Sequence, residues 1–144
     1  MDEAKVHFDV SGDQLETTAR LWLQLDGPRP PAGYSCDGCS NSPDRYIALT
    51  GRIYKLWPAC VIHDYHYREK HCLTRDVAGR READRIFREN LKTCVRYCGG
   101  SKFDQRRIAW LYWGRVRMWG ASSWQHWAKG AEPTSWWQRL REVW

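Results

Sequence analysis

The chain has 144 residues and a formal net charge of +6 at pH 7, with 42% hydrophobic and 28% charged residues. This composition is typical of a globular protein, and the length predicts a single domain over residues 1–144 rather than a disordered chain. The basic charge favours anionic partners such as phospholipid surfaces or nucleic acid, without choosing between them.

Segments that direct export or insertion are not evident in the sequence. Its apolar stretches stay well short of the ~20 residues that a membrane-crossing helix requires. The first five residues lack the apolar core of a secretory leader. Six cysteines in so small a chain are nevertheless typical of an oxidising compartment. We therefore expect a secreted protein, either a mature form or an exported toxin without its leader.

The first predicted helix covers residues 13–25, because Leu15 and Trp22 belong to an apolar series that recurs at helical intervals. Prolines and glycines between residues 26 and 33 end this helix, and a loop is expected from there to about residue 55. Apolar and polar residues do not alternate in a way that predicts a substantial sheet.

Two long helices are predicted next, over residues 58–70 and 81–97. Proline suits the first turn of the former, and a pair of glycines follows the latter. A loop over about residues 73–79 would join them as an antiparallel pair. A further helix is predicted over residues 104–119, where the composition favours helix and a glycine follows.

Tryptophan is unusually frequent, with ten residues. Trp22 and Trp110, which lie within predicted helices, are expected in the core. The Trp-rich C-terminal extension, residues 121–144, includes a possible short helix over 135–143 and has two interpretations. Its aromatic rings could insert into a lipid interface, or the extension could fold back onto the domain.

The most informative pattern lies in residues 60–67. Cys60, His63, Asp64 and Tyr67 fall on one face of a helix of 3.6 residues per turn, and that face is polar where a core is expected. Asp84 follows His63 by twenty-one residues and lies on the buried stripe of the next helix. A buried carboxylate needs a partner, and a histidine held by one can take a proton from water.

Oxygen ligands for a metal ion are also present. Asp64 and Asp37, together with nearby backbone carbonyls, would offer the hard oxygen ligands that Ca²⁺ prefers. A cation beside the histidine would polarise an ester carbonyl and stabilise the oxyanion that forms.

Together these motifs resemble secreted phospholipase A2, and most closely its small prokaryotic and fungal branch. Residues 60–67 are similar to the His-Asp-x-x-Tyr active-site helix of the family, and Asp84 has the matching spacing. The segments Asp37-Gly38-Cys39 and Pro43-Asp44 resemble the calcium loop and the Pro-Asp pair that precede this helix in the branch. The similarity extends over about residues 36–98.

The resemblance implies a mainly α fold, with a phospholipase A2-like pair of antiparallel disulfide-linked helices, additional N- and C-terminal helices and a calcium-binding loop. The domain core would cover about residues 13–120. The resemblance further implies calcium-dependent hydrolysis of the sn-2 ester of phosphoglycerides at a membrane surface or micelle. His63 would be the general base, Asp84 its orienting partner, and Tyr67 a hydrogen-bond partner of that carboxylate.

The same resemblance implies a calcium site and a disulfide. Ca²⁺ would be bound by the side chains of Asp37 and Asp64 and by the backbone carbonyl of Gly38. Cys39 and Cys60 would form the disulfide that ties the calcium loop to the catalytic helix.

Two features depart from the family pattern. Cys36 has no obvious counterpart, and the spacing from Cys94 to Cys98 is shorter than the branch's second disulfide leads us to expect. Pairing of Cys36 with Cys72 and of Cys94 with Cys98 is the working guess for the remaining cysteines.

Several alternatives stay open on the sequence alone. The chain could be a non-catalytic phospholipase A2-like toxin or membrane-binding module, or a basic nucleic-acid binder that uses its arginine-rich helices. The two closely spaced cysteine pairs could also form a zinc knuckle. The phospholipase interpretation itself predicts neither nucleic acid nor an obligate protein as a partner. His66 and His71 are interpreted as exposed residues without a role, and the arginines between residues 75 and 117 as the solvated sides of helices.

Overall fold

The computed structural model describes residues 5–10, 13–31, 34–36, 45–48, 50–69 and 77–119. Within these ranges most residues are helical, as predicted. The elements in chain order are β1 (Lys5–Val10), β2 (Asp13–Thr18), α1 (Ala19–Gln24), β3 (Ser35–Cys36), β4 (Arg45–Ile47), β5 (Ile53–Lys55), α2 (Trp57–Glu69), α3 (Val77–Tyr97) and α4 (Lys102–Trp119).

A three-stranded sheet at the N-terminus corrects the prediction that no substantial sheet would form. Strand β1 pairs antiparallel with β2 and parallel with β3. Phe8 of β1 is fully buried, with its ring centroid 4.8 Å from that of Trp22 and 6.1 Å from that of Trp57. The sheet therefore contributes directly to the core against which α1 and α2 pack.

The first helix is shorter than predicted, because residues 13–18 form β2. In this strand Thr17 is buried while Glu16 is exposed and pairs with Lys5 at 2.8 Å, which is the alternation of a strand. The β-branched Thr17 and Thr18 also favour a strand over a helix. Thr18 then caps α1, since its hydroxyl accepts a hydrogen bond from the Leu21 N–H at 3.3 Å.

A second, two-stranded sheet replaces part of the predicted loop. Strands β4 and β5 pair antiparallel, with Tyr46 opposite Tyr54. Gly51 in the connecting turn has φ +85°, a conformation that glycine adopts without strain. Tyr54 is 1% exposed and donates a hydrogen bond to Asp104 of α4 at 2.6 Å. The hydrogen bond between Tyr54 and Asp104 thus holds the β4–β5 hairpin against the start of α4.

The two long helices α2 and α3 are antiparallel, as predicted. Ala59, near the start of α2, contacts Cys94 near the end of α3, and Tyr67 near the end of α2 contacts Asp84 nearer the start of α3. Helix α3 begins before the predicted residue 81. Buried apolar residues in and next to these helices belong to the hydrophobic core: Leu56, Val61, Ile62, Phe87, Leu91 and Val95.

A tight turn joins α3 to α4. Gly99 has φ +82°, and the Gly100 N–H donates to the Val95 carbonyl at 2.8 Å, which closes the end of α3. A Cβ added at Gly100 would lie 2.3 Å from Val95 and 2.9 Å from Tyr54, so a larger residue does not fit there. The Ser101 hydroxyl accepts from the Asp104 N–H at 3.1 Å and caps α4.

Two predictions about single side chains are wrong. Trp110 is 58% exposed on the outer face of α4, whereas Trp22 is buried as expected. His66 is buried. It follows His63 by three residues, which places both on the side of α2 that faces α3. His71 and the Trp-rich extension lie outside the described residues. No helix in the described ranges has both the length and the apolar character needed to cross a membrane.

Candidate active site

The predicted contact between helices α2 and α3 is present at their polar end. His63 Nε2 lies 2.7 Å from Asp84 Oδ1, and the Tyr67 hydroxyl donates to the same oxygen at 2.6 Å. His63 and Tyr67 are one turn apart on α2, so both reach a single carboxylate on α3. Asp84 itself is 0% exposed.

The ionisation of Asp84 reflects its partners. Burial alone would raise the pKa of this carboxyl, but the hydrogen bond from His63 and the charges of His63 and Arg80 outweigh burial and lower the pKa below its ordinary value. Asp84 is therefore a carboxylate, which can only accept hydrogen bonds. It follows that His63 Nε2 carries the proton of the shared hydrogen bond, and Nδ1 is the nitrogen left to take one.

Tyr67 stays protonated for the complementary reason. Burial raises the pKa of its hydroxyl well above the ordinary value, and the charge of Asp84 raises it further. A protonated phenol is a permanent hydrogen-bond donor to the carboxylate. Tyr67 thus helps to fix Asp84 without exchanging a proton with it.

Aromatic contacts restrict the His63 ring. The ring is stacked on Phe87, with centroids 4.3 Å apart, and lies 4.4 Å from the Tyr67 ring. Its side chain retains 12% exposure. The imidazole is therefore fixed by α3 on one side and by its own helix on another, while part of it remains accessible.

Two buried arginines complete the surroundings of Asp84, and the sequence interpretation missed both. Arg117 Nη1 of α4 lies 2.6 Å from Asp84 Oδ2, and Arg80 Nε lies 3.8 Å from the same oxygen. They are 1% and 2% exposed, so they are not on the solvated sides of helices as expected. The sequence contains a signal for Arg80, which precedes Asp84 by four residues on the same buried stripe.

Only one of the three predicted calcium ligands lies among the described residues. Asp64 follows His63 on α2 and is partly buried. Asp37 and Gly38 lie outside the described residues, but β3 ends immediately before them. Tyr34, just before β3, contacts Tyr65 of α2 with ring centroids 5.1 Å apart. In the part of the chain that the structure describes, there is no group of three His, Cys, Asp or Glu residues that could hold a metal ion.

The state of the cysteines shows that one predicted disulfide, between Cys94 and Cys98, does not form. Cys60 is disulfide-bonded, and its partner lies outside the side chains that the structure describes. Cys94 and Cys98 are free thiols, so their predicted pairing is wrong. Residues four apart on a helix have Cβ atoms about 5–6 Å apart, beyond the ~4 Å that a disulfide requires. Burial raises the pKa of Cys94 to about 12.

The family model described as prokaryotic phospholipase A2 matches residues 15–120, which is more than half of the chain. The chain belongs to this family. The match confirms the resemblance and includes α2, α3 and α4 with His63, Asp84 and both buried arginines. Membership of the prokaryotic phospholipase A2 family supports a lipid hydrolase. Comparison with curated proteins gives no significant match, and comparison with solved structures gives none either.

Proposed function

We propose that this protein is a calcium-dependent phospholipase A2 that hydrolyses the sn-2 ester of phosphoglycerides to a fatty acid and a lysophospholipid. The observation that carries the proposal is the 2.7 Å contact between His63 Nε2 and the buried carboxylate of Asp84 in a chain of this family. A histidine oriented by a carboxylate is the arrangement that general-base catalysis needs.

His63 acts as the general base. With its proton on Nε2, the lone pair on Nδ1 removes a proton from water, either directly or through a second water molecule. The resulting hydroxide attacks the carbonyl carbon of the ester, and the C–O bond to the glycerol oxygen breaks. The imidazolium then returns its proton to the glycerol oxygen, which leaves as the hydroxyl of the lysophospholipid.

Asp84 and Tyr67 support this proton transfer. Asp84 holds the tautomer in which Nδ1 is unprotonated, and its negative charge stabilises the imidazolium. The Tyr67 hydroxyl bonds the same carboxylate oxygen at 2.6 Å and limits its rotation. Neither group needs to contact the substrate.

The predicted oxygen ligands suit Ca²⁺. The carboxylate of Asp64, next to the base, is the hard ligand type that this ion prefers, and Asp37 with the Gly38 carbonyl would complete the protein ligands. When bound, the ion would polarise the ester carbonyl and stabilise negative charge on its oxygen.

A phospholipid surface is the proposed partner. Phe103, Arg106 and Trp110 follow helical spacing on the outer face of α4, and both aromatic side chains are exposed, at 71% and 58%. Apolar rings flanking a basic residue suit an anionic lipid interface. Replacing Phe103 and Trp110 by alanine should weaken binding to anionic vesicles in a sedimentation assay. Unchanged binding would remove this face from the proposal.

The decisive test is fatty-acid release from phospholipid vesicles while Ca²⁺ is titrated. Wild-type protein should release fatty acid with Ca²⁺ and stop when a chelator is added. His63→Gln should retain its circular dichroism spectrum but lose activity by about 100-fold or more, the scale of a general base. His7→Gln is the matched control, because His7 is exposed on β1. Hydrolysis retained by His63→Gln contradicts the proposal, and no release by wild type favours the non-catalytic module.

A further inference from the structure

The carboxylate of Asp84 is held at both of its oxygens by different elements. Oδ1 receives His63 and Tyr67 from α2, whereas Oδ2 receives the Arg117 guanidinium from α4 at 2.6 Å. A carboxylate bound at one oxygen only can still rotate about its bond to Cβ. Bonds at both oxygens fix the direction in which Oδ1 meets the imidazole.

Arg117 also supplies positive charge that balances the buried carboxylate of Asp84. The positive charge of His63 is absent when the imidazole is neutral and acts as a base, so Asp84 then needs another counter-charge. A buried carboxylate without a counter-charge is strongly disfavoured. The cations next to Asp84 in the described structure are the guanidinium groups of Arg117 and Arg80, at 2.6 and 3.8 Å.

The position of Arg117 is set by backbone contacts of its own helix. Arg80 Nη2 donates to the carbonyls of Val116 and Arg117 at 2.7 and 2.8 Å. These carbonyls belong to the last turn of α4 within the described residues. Arg80 therefore attaches the end of α4 to the start of α3, and Arg117 projects from this attached turn to Asp84.

We propose that Arg117 is a positioning residue for the hydrolysis, fixing Asp84 from α4 so that Asp84 aligns His63. The inference rests on the proposed function. Arg117 is buried and bonds Asp84 Oδ2, so it acts through Asp84 and does not contact substrate. Its loss should therefore lower kcat and leave KM nearly unchanged.

The test compares Arg117→Gln and Arg117→Lys with wild type in the vesicle assay, with kcat and KM determined separately. Arg117→Gln should lower kcat by about 10- to 100-fold, the cost of small displacements in a catalytic group, with KM within about twofold. Arg117→Lys restores the charge and one donor, and it should recover part of the loss. Arg115→Gln is the matched control, because Arg115 is exposed on the same helix.

A readout independent of turnover is the His63 ring N–H signal in the NMR spectrum of protein with ¹⁵N-labelled histidine. The signal should be downfield in wild type, absent in His63→Gln, and shifted or broadened by exchange in Arg117→Gln. Should the Arg117 variants fail to fold, hydrogen exchange of the Arg117 guanidinium in wild type replaces them. Slow exchange supports its bond to Asp84, and solvent-like exchange overturns the inference.

The two proposals fail in different ways. Wild type that releases no fatty acid overturns the hydrolytic function, and the NMR signal then decides whether Arg117 aligns His63. Active wild type with Arg117→Gln at full kcat and an unchanged ring signal overturns the role of Arg117 alone. A kcat that falls equally in the glutamine and lysine variants, with the ring signal unchanged, also overturns it.

Discussion

The two ends of the α2–α3 pair differ in chemistry although both are buried. At one end Ala59 packs against Cys94, and the two are 0% exposed. At the other end Asp84 is also 0% exposed, yet it is surrounded by donors from His63 and Tyr67. Burial raises the pKa of the Cys94 thiol to about 12, whereas the pKa of the Asp84 carboxyl is lowered despite burial, by hydrogen bonding and charge.

This difference shows that partners, and not depth alone, decide whether a buried group is ionised. Among the described residues, burial is the largest influence on the pKa of the Cys94 thiol and raises it, so the thiol stays neutral. The carboxylate has charged and hydrogen-bonding neighbours, so it keeps its charge. One end of the helix pair can therefore serve stability, while the other can hold a charge that chemistry uses.

The largest expected effect follows from removing the charge at the polar end. Asp84→Asn should reduce fatty-acid release on the order of 10³-fold, because an amide can donate to Nε2 and favour the wrong tautomer. Initial rates on vesicles measure the effect, and circular dichroism checks the fold. Rates within about tenfold of wild type would mean that Asp84 does not orient the base.

Arg80→Gln tests whether the charge at the polar end depends on nearby cations. Removing one partner of a buried ion pair should destabilise the protein by about 3 kcal/mol or more. Urea unfolding measures this change. The control is Arg85→Gln, because Arg85 pairs with Glu82 at an exposed site and should contribute about 1 kcal/mol or less. Equal effects of the two variants would contradict the comparison.

Cys94→Ser tests the apolar end, because it places a more polar hydroxyl where the thiol is buried. We expect a loss of about 1–3 kcal/mol in the free energy of unfolding. Cys98→Ser is the matched control, since Cys98 lies one turn later and is only partly buried. Unfolding in urea under identical conditions should rank the Cys94 variant as less stable, and the reverse order would show that this end tolerates polarity.

The most gradual effect is the dependence of stability on pH. Because the folded pKa of Asp84 lies below its ordinary value of 3.8, its ionisation stabilises the fold above that pH. This contribution is lost as pH falls through the folded pKa. The stability difference between wild type and Asp84→Asn should therefore be constant near neutral pH and shrink below about pH 4. If the free energies of unfolding of the two proteins changed in parallel below about pH 4, a lowered pKa of Asp84 would be excluded.

Much of the helical core could be predicted from residue spacing. His63 and Tyr67 lie four residues apart, which places them on one face whatever the surrounding fold, and Asp84 shares the buried stripe of its own helix. These local rules are independent of tertiary structure. The face of each residue was therefore predictable, and the resemblance to phospholipase A2 implied that His63 and Asp84 meet, whereas their catalytic roles stay predictions.

Features that depend on long-range packing were not predictable in this way. Residues 13–18 carry an apolar pattern that also suits a helix, and they form a strand because β1 pairs with them. Arg117 is indistinguishable in the sequence from exposed arginines of α4, since its partner is thirty-three residues away. Exposure of Trp110 likewise depends on which face of α4 meets α3.

The turn at Gly100 sets the direction in which the whole of α4 leaves α3. Arg117 lies about 25 Å along the helix from this turn, at 1.5 Å per residue. A tilt of about 5° at this turn would move the guanidinium by roughly 2 Å, which is enough to break a hydrogen bond. Because residue 100 is glycine, the turn can lie close to Val95 and Tyr54. The angle between α3 and α4 that this turn sets therefore determines where Arg117 lies at the other end of α4.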